Sequence, residues 1–254
     1  MNIRSYVAVG DSFTEGMNDL DPSGSGDKYR GWADRVAEHI ALASPGLGYA
    51  NLAVRGKLLR QIVTDQVPRA VALKPDLITI CGGGNDMIRP GADPDALAII
   101  FDEAVRSMRA CGAEVVLFTG FDPRPLGRSN RFRGQAATFN MHLRAIADRR
   151  GAKVVDLWPR SVLHDPRCWS EDRLHLTSEG HRRMALRVCD VLGVPVEGDW
   201  REPFPPFERP DWLTSRRDDL HWARAYFLPW VHRRLTGKSS GDGRDPKRPD
   251  LLPL

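Results

Sequence analysis

Short apolar runs rich in β-branched residues alternate along this chain with longer stretches in which apolar positions recur every three or four residues. That alternation predicts a parallel sheet covered by helices. Residues 6–10 read as the first strand, followed by a loop over 16–29 rich in Gly, Asp, Ser and Pro. Trp32, Val36 and Ile40 then recur at helical spacing, and 48–52 is a short second strand. Leu58, Ile62, Val63, Val67 and Val71 trace one face of a second helix that Pro75 ends. Residues 77–81 form a third strand with little polarity, as expected when both faces are covered. The alternation continues with a helix over 94–110, a strand over 114–119, a helix over 133–149 and a fifth strand over 153–157. A closing helix over 178–192 has Thr177 or Ser178 as its N-cap. Five strands with intervening helices predict a right-handed, doubly wound sheet, with ligands at the carboxyl ends of its strands.

After residue 195 the texture changes. Pro203, Pro205, Pro206 and Pro210 break regular structure, while Trp200, Phe204, Phe207 and Trp212 supply apolar anchors. The expected organisation is therefore a main domain over 1–195 and an arm over 196–236 packed on it. The arm's short helix, from about residue 216 to 235, is interrupted near Pro229. The stretch 237–254, rich in Gly, Ser, Asp, Lys and Pro, reads as an unstructured tail. No internal repeat is present. The 254 residues are enough for one α/β domain with an appendage, and 41% hydrophobic content excludes a disordered chain.

Charge narrows the partners. The formal net charge of +4 comes from arginines interspersed with acids. No basic run lies outside the tail, which argues against nucleic acid as a partner. No apolar stretch approaches the length of a membrane span, and the N-terminus has no signal-peptide pattern. Cys81, Cys111, Cys168 and Cys189 lack C-x-x-C spacing, so free thiols, no metal site and a cytoplasmic location are expected. Nothing in the chain specifies an oligomeric state.

Four blocks carry chemistry. Gly10-Asp11-Ser12 stands where strand one ends and projects a serine from the sheet edge. Gly56 follows strand two and offers a backbone N–H suited to a negatively charged oxygen. Gly82-Gly83-Gly84-Asn85-Asp86 follows strand three and presents an amide at the same edge. Asp172-Arg173-Leu174-His175 precedes the last helix and supplies a base and a carboxylate from one loop. A serine hydroxyl needs such a base to become a nucleophile, and the carboxylate fixes the histidine's tautomer. Each block alone is ordinary turn chemistry. The glycine run also reads as a phosphate cradle, although it lacks the P-loop lysine and the dinucleotide spacing. Asp11 and Asp86 read as loop-anchoring acceptors.

Together, in this order and at these sheet edges, the blocks resemble the SGNH (GDSL-type) hydrolases over residues 5–192. The resemblance implies a three-layer, flavodoxin-like α/β/α sandwich with a five-stranded parallel sheet in the order 2-1-3-4-5. It also implies a serine esterase with no metal or organic cofactor. Ser12, His175 and Asp172 would form the triad. The backbone N–H groups of Ser12 and Gly56, with the Asn85 side chain, would form the oxyanion hole. The partner would be a small-molecule ester, its short or medium acyl chain bordered by Phe13, Met17, Met87, Ile88, Phe121 and Trp169. Arg55, Arg89 and Arg124 at the same rim would instead suit an anionic substrate. Three other readings share the scaffold: an acyltransferase, a non-catalytic binding module and a flavodoxin-like nucleotide binder. The presence of every group the hydrolysis needs argues against the second.

Overall fold

The computed structural model describes residues 3–20, 29–124, 132–206 and 211–254. Five parallel strands form where the short apolar runs lie: β1 (Ser5–Gly10), β2 (Gly48–Asn51), β3 (Leu77–Cys81), β4 (Glu114–Phe118) and β5 (Lys153–Val155). Between and after them come α1 (Ser12–Glu15), α2 (Gly31–Ala43), α3 (Leu59–Gln61), α4 (Val67–Ala72) and α5 (Gly84–Met87). They are followed by α6 (Pro94–Ala110), α7 (Arg133–Arg150) and α8 (Ser178–Leu192). Thr177 caps α8, its hydroxyl accepting from the Gly180 N–H at 3.2 Å.

The alternation within β1 builds the three layers. Tyr6 and Ala8 face one cluster with Trp32, Val36 and Ile40 of α2 and Met184, Ala185 and Val188 of α8. Val7 and Val9 face the opposite cluster with Ala70, Phe101, Val105 and Leu143 of α4, α6 and α7. A strand buried on both faces cannot alternate apolar with polar residues, so the central strands read as continuous apolar runs. Register pairs Tyr6 with Leu77 and with Tyr49, so β1 lies between β3 and β2.

Among the described residues the sheet has six strands, not the expected five, in the order β5-β4-β3-β1-β2-β6. The added strand, β6 (Arg248–Pro253), comes from the stretch expected to be an unstructured tail and runs antiparallel to β2. Without it, β2 would leave a row of unsatisfied backbone groups at the sheet edge. An edge strand tolerates Pro249 and Pro253, whose missing N–H groups interrupt no ladder beyond. Lys247 Nζ fixes the entry, donating to Tyr29 O (2.8 Å), Arg30 O (2.7 Å) and Asp34 Oδ2 (2.8 Å). Arg248 Nε donates to Tyr49 O at 2.8 Å.

The arm begins against the domain. Trp200 and Phe204 pack on the first cluster, with the Arg183 guanidinium 4.1 Å from the Phe204 ring centre. Trp212, expected as a further anchor, is 68% exposed, and Phe207 lies outside the described residues. A helical run then comprises α9 (Trp212–Trp222), a π-helical turn (Ala223–Phe227) and α10 (Leu228–Leu235). It starts earlier than the sequence suggested because Asp211 caps it, accepting from Thr214 N at 3.0 Å. Pro229 does not break the run. A π turn stands just before it, as another (Ile62–Gln66) stands before Pro68. A widened turn takes up the missing N–H and the ring's steric demand. Among the described residues no helix is long and apolar enough to cross a membrane.

Candidate active site

The site is assembled where β1, β2 and β3 end. A Cβ on Gly10 would run into the Cys81 carbonyl, so only glycine lets the two strands finish side by side. Beyond the reach of the ladder, the buried Gln66 amide takes over as a pairing partner. Its Oε1 accepts from Gly10 N at 2.8 Å and its Nε2 donates to Gly10 O at 2.9 Å. Asp11 then caps α1, Oδ1 accepting from Phe13 N at 3.0 Å, and Ser12 becomes the first residue of that one-turn helix.

The loop after β2 is tied to the same turn. Asn51 Nδ2 donates to Thr14 O at 3.1 Å, and Val54 N donates to Gly10 O at 3.3 Å. Glu15, on α1, accepts from the Arg55 N–H at 2.6 Å and forms a buried ion pair with its guanidinium. Arg55 is therefore not presented to a substrate at the rim; burial without this partner would leave a charge in the interior. Gly56 follows with φ +74°, a backbone position that favours glycine.

After β3, α5 brings Asn85 into the same space. Its Nδ2 donates to Asp11 Oδ2 (3.2 Å) and to Lys57 O (3.1 Å), bridging the serine turn and the Gly56 loop. Asp86 anchors α3, its Oδ2 accepting from Leu59 N at 2.9 Å.

The fourth block folds as a tight loop closed by Ser170 N donating to His175 O (2.9 Å) and Arg173 N to Ser170 O (2.9 Å). Asp172 sits at its centre. Its Oδ1 accepts from Ser170 Oγ (2.8 Å), Leu174 N (2.9 Å) and His175 N (3.0 Å). Its Oδ2 lies 2.6 Å from His175 Nδ1 and accepts from Asn18 Nδ2 at 2.8 Å. His175 Nε2 lies 2.8 Å from Ser12 Oγ. Nδ1–H donating to the carboxylate leaves Nε2 as an acceptor for the serine hydroxyl.

The electrostatics of the two acids diverge. Burial alone would raise the pKa of Asp172, but the His175 hydrogen bond and charge and the loop N–H groups outweigh it. Its carboxyl is held well below the usual range. Asp11, also buried, is pushed up to about 6 because the Phe13 N–H and the His175 charge only partly offset its desolvation. His181 is a packing histidine. Nδ1 accepts from Trp32 N (3.1 Å), Nε2 donates to Met17 O (3.1 Å), and burial lowers its pKa to about 4.

The expected acyl-pocket residues divide. Phe13, Phe121 and Trp169 form a chain of ring contacts, 6.2 Å between the first two centroids and 4.9 Å between the last two. Trp169 Nε1 is fixed to Leu163 O at 2.9 Å. Met17 and Ile88 are half-buried, whereas Arg89 and Arg124 are exposed. Met87 is turned away from these rings. It is buried in the second core cluster because α5, a single turn, points it into the sheet's far layer. Sequence reasoning missed Glu15, Asn18, Gln66, Ser170 and Trp222, which hold Gly10, Arg55 and Asp172 and the loops that carry them. Apart from Ser170, each comes from a distant part of the chain and shares no local spacing with the residue it serves.

The family model described as GDSL-like lipase/acylhydrolase matches residues 8–183. A curated relative, a probable phosphoketolase of Rhodopseudomonas palustris, is 23% identical over 268 residues. The chain spans 32% of its length. Among solved structures, the acetylxylan esterase Axe2 of Geobacillus stearothermophilus matches with TM-score 0.62 and 20% identity, covering 80% of this chain and 99% of that one. TesA matches with TM-score 0.59 and 23% identity, over 74% and 97% of the two chains. A putative GDSL-like lipase of Parabacteroides merdae matches with TM-score 0.63 and 16% identity, over 75% and 96%. At these identities the solved structures speak to the fold. With the family model matched over most of its length, this chain belongs to the GDSL-like lipase/acylhydrolase family, a family of ester hydrolases.

Proposed function

We propose that this chain hydrolyses carboxylic esters of short or medium acyl chains through an acyl-enzyme on Ser12. The observation that carries the reading is the continuous relay from Ser12 Oγ to His175 Nε2 (2.8 Å) and from His175 Nδ1 to Asp172 Oδ2 (2.6 Å). Ser12 Oγ attacks the acyl carbonyl while His175 Nε2 takes its proton. The tetrahedral intermediate collapses, and the departing alkoxide takes that proton from His175. Water then attacks the acyl-serine, giving a proton to His175, which returns it to Ser12 as the acid leaves. Asp172, held ionised, stabilises the imidazolium in both halves.

The negative oxygen of each intermediate falls to the N–H groups of Ser12 and Gly56 and to Asn85 Nδ2. The 3.2 Å contact of Asn85 with Asp11 is long enough to be shared with an incoming oxyanion. The packed rings of Phe13, Phe121 and Trp169 favour a small apolar acyl group over a long one. A reducing compartment suits the four free cysteines.

The test is hydrolysis of p-nitrophenyl esters, acetate through palmitate, by wild type and Ser12→Ala. Turnover by wild type alone, best with the short esters, is the expected result. Equal activity in both proteins removes Ser12 as nucleophile, and an optimum at palmitate refutes the short pocket. Acyl transfer to added alcohols in preference to water would make the enzyme a transferase.

A further inference from the structure

The helical part of the arm makes polar contacts with the domain at one corner, and that corner belongs to the triad loop. Trp222 Nε1 donates to the main-chain carbonyl of Asp172 at 2.9 Å. Tyr226 Oη donates to Glu171 Oε2 at 3.2 Å. Asp219 pairs with Arg173 Nη1 at 2.7 Å, and the Arg173 guanidinium lies 5.3 Å over the Trp222 ring. Helices that merely shield a core present an apolar face to it, whereas this one aims an indole N–H, a hydroxyl and a carboxylate at three consecutive residues.

The residue between those contacts is unusual. Arg173 has φ +56°, a conformation that L residues with a Cβ adopt reluctantly. This turn lets Asp172 accept from Leu174 N and His175 N while its Oδ2 reaches His175 Nδ1. The peptide joining Asp172 to Arg173 must therefore hold its plane for the carboxylate to hold its aim. Its carbonyl is the group that Trp222 grips, and the arm also clamps the Arg173 side chain.

After α10 the chain crosses to the other half of the site. A Cβ on Gly56 would meet Ser239 Oγ, and Gly241 is buried against the Arg55 carbonyl so closely that no side chain would fit there. β6 then locks the crossing to the sheet. The arm is thus fastened at both ends and leans on the triad loop between them.

We propose that Trp222 is a positioning residue of the hydrolytic triad, holding the Asp172–Arg173 peptide through its indole N–H so that the carboxylate keeps its alignment with His175. This rests on the triad reading above. Trp222→Phe removes the N–H and keeps an aromatic ring over Arg173, and the full chain is used throughout. With p-nitrophenyl acetate, kcat per active site, counted by fluorophosphonate titration, falls about tenfold, because small misplacements of catalytic groups are costly. KM stays within about twofold, since no contact with substrate is lost. The far-downfield proton resonance of the His175 Nδ1–H bond moves upfield. Trp212→Phe, on the exposed side of α9, leaves all three readings unchanged.

An unchanged kcat per titrated site in Trp222→Phe overturns the proposal while the triad stands, provided Ser12→Ala is inactive. A loss explained wholly by fewer titratable sites also overturns it, because the tryptophan is then only structural. Wild-type activity in Ser12→Ala removes the triad reading first.

Discussion

Changing Asp11 to asparagine removes a charge from one of the most enclosed acids in the protein without removing its cap on α1. The residue is 6% exposed, its Oδ1 accepts from Phe13 N, and burial lifts its pKa from an ordinary 3.8 to about 6. Asparagine caps a helix as well as aspartate does. A folded-state pKa above the unfolded one means that the folded protein binds the extra proton, so as far as Asp11 alone is concerned wild type is most stable below about pH 4. It loses stability as pH rises from 4 to 6 and loses no more from this group above that. Two pH units at ~1.4 kcal/mol each give about 3 kcal/mol. The amide of the Asp11→Asn variant does not titrate, so its stability lacks this decline. The substitution also brings an amide against Asn85 Nδ2, a fixed cost that does not vary with pH. Urea unfolding of both proteins between pH 4 and 8 therefore gives a stability difference that moves by about 2.4 kcal/mol in favour of the variant, mostly below pH 6.5, the rest of the change falling below pH 4. A difference that stays constant across this range would falsify the claim that Asp11 carries an elevated pKa.

Two further substitutions test other parts of the site. Asn85→Ala is expected to lower kcat by about 10²–10³ with little change in thermal stability, as removal of one oxyanion donor does elsewhere; wild-type turnover in this variant removes Asn85 from the site. Glu15→Gln leaves the Arg55 guanidinium buried without its carboxylate, and unfolding in guanidinium chloride should give a loss of about 3–5 kcal/mol. A loss below about 1 kcal/mol, the range of exposed pairs, would mean that the pair is solvated.

What the sequence by itself determined is what is written in local periodicity. The five apolar runs became β1 to β5, and the period-3.6 stretches at 94–110 and 178–192 became α6 and α8 with the expected ends. Local chemistry was legible for the same reason: a turn at the end of a strand places its residues within a few ångströms of one another. Asp172 and His175 meet because a single tight loop carries both. Gly10-Asp11-Ser12 reads as a strand-to-helix turn without any knowledge of its neighbours.

The tertiary structure decided whatever depends on partners far apart in the chain. β6 was invisible because its pairing energy resides in the open edge of β2, far back along the chain, and not in its own proline-rich composition. Arg55 looked like a rim charge until Glu15 on a neighbouring helix enclosed it. Met87 looked like a pocket wall until the one turn of α5 rotated it into the core. Gln66 holding Gly10, Asn18 holding Asp172 and Trp222 leaning on the Asp172 loop follow the same rule. A hydrogen bond over such a sequence separation leaves no period or spacing to read, since only the packed sheet sets which two loops share a corner.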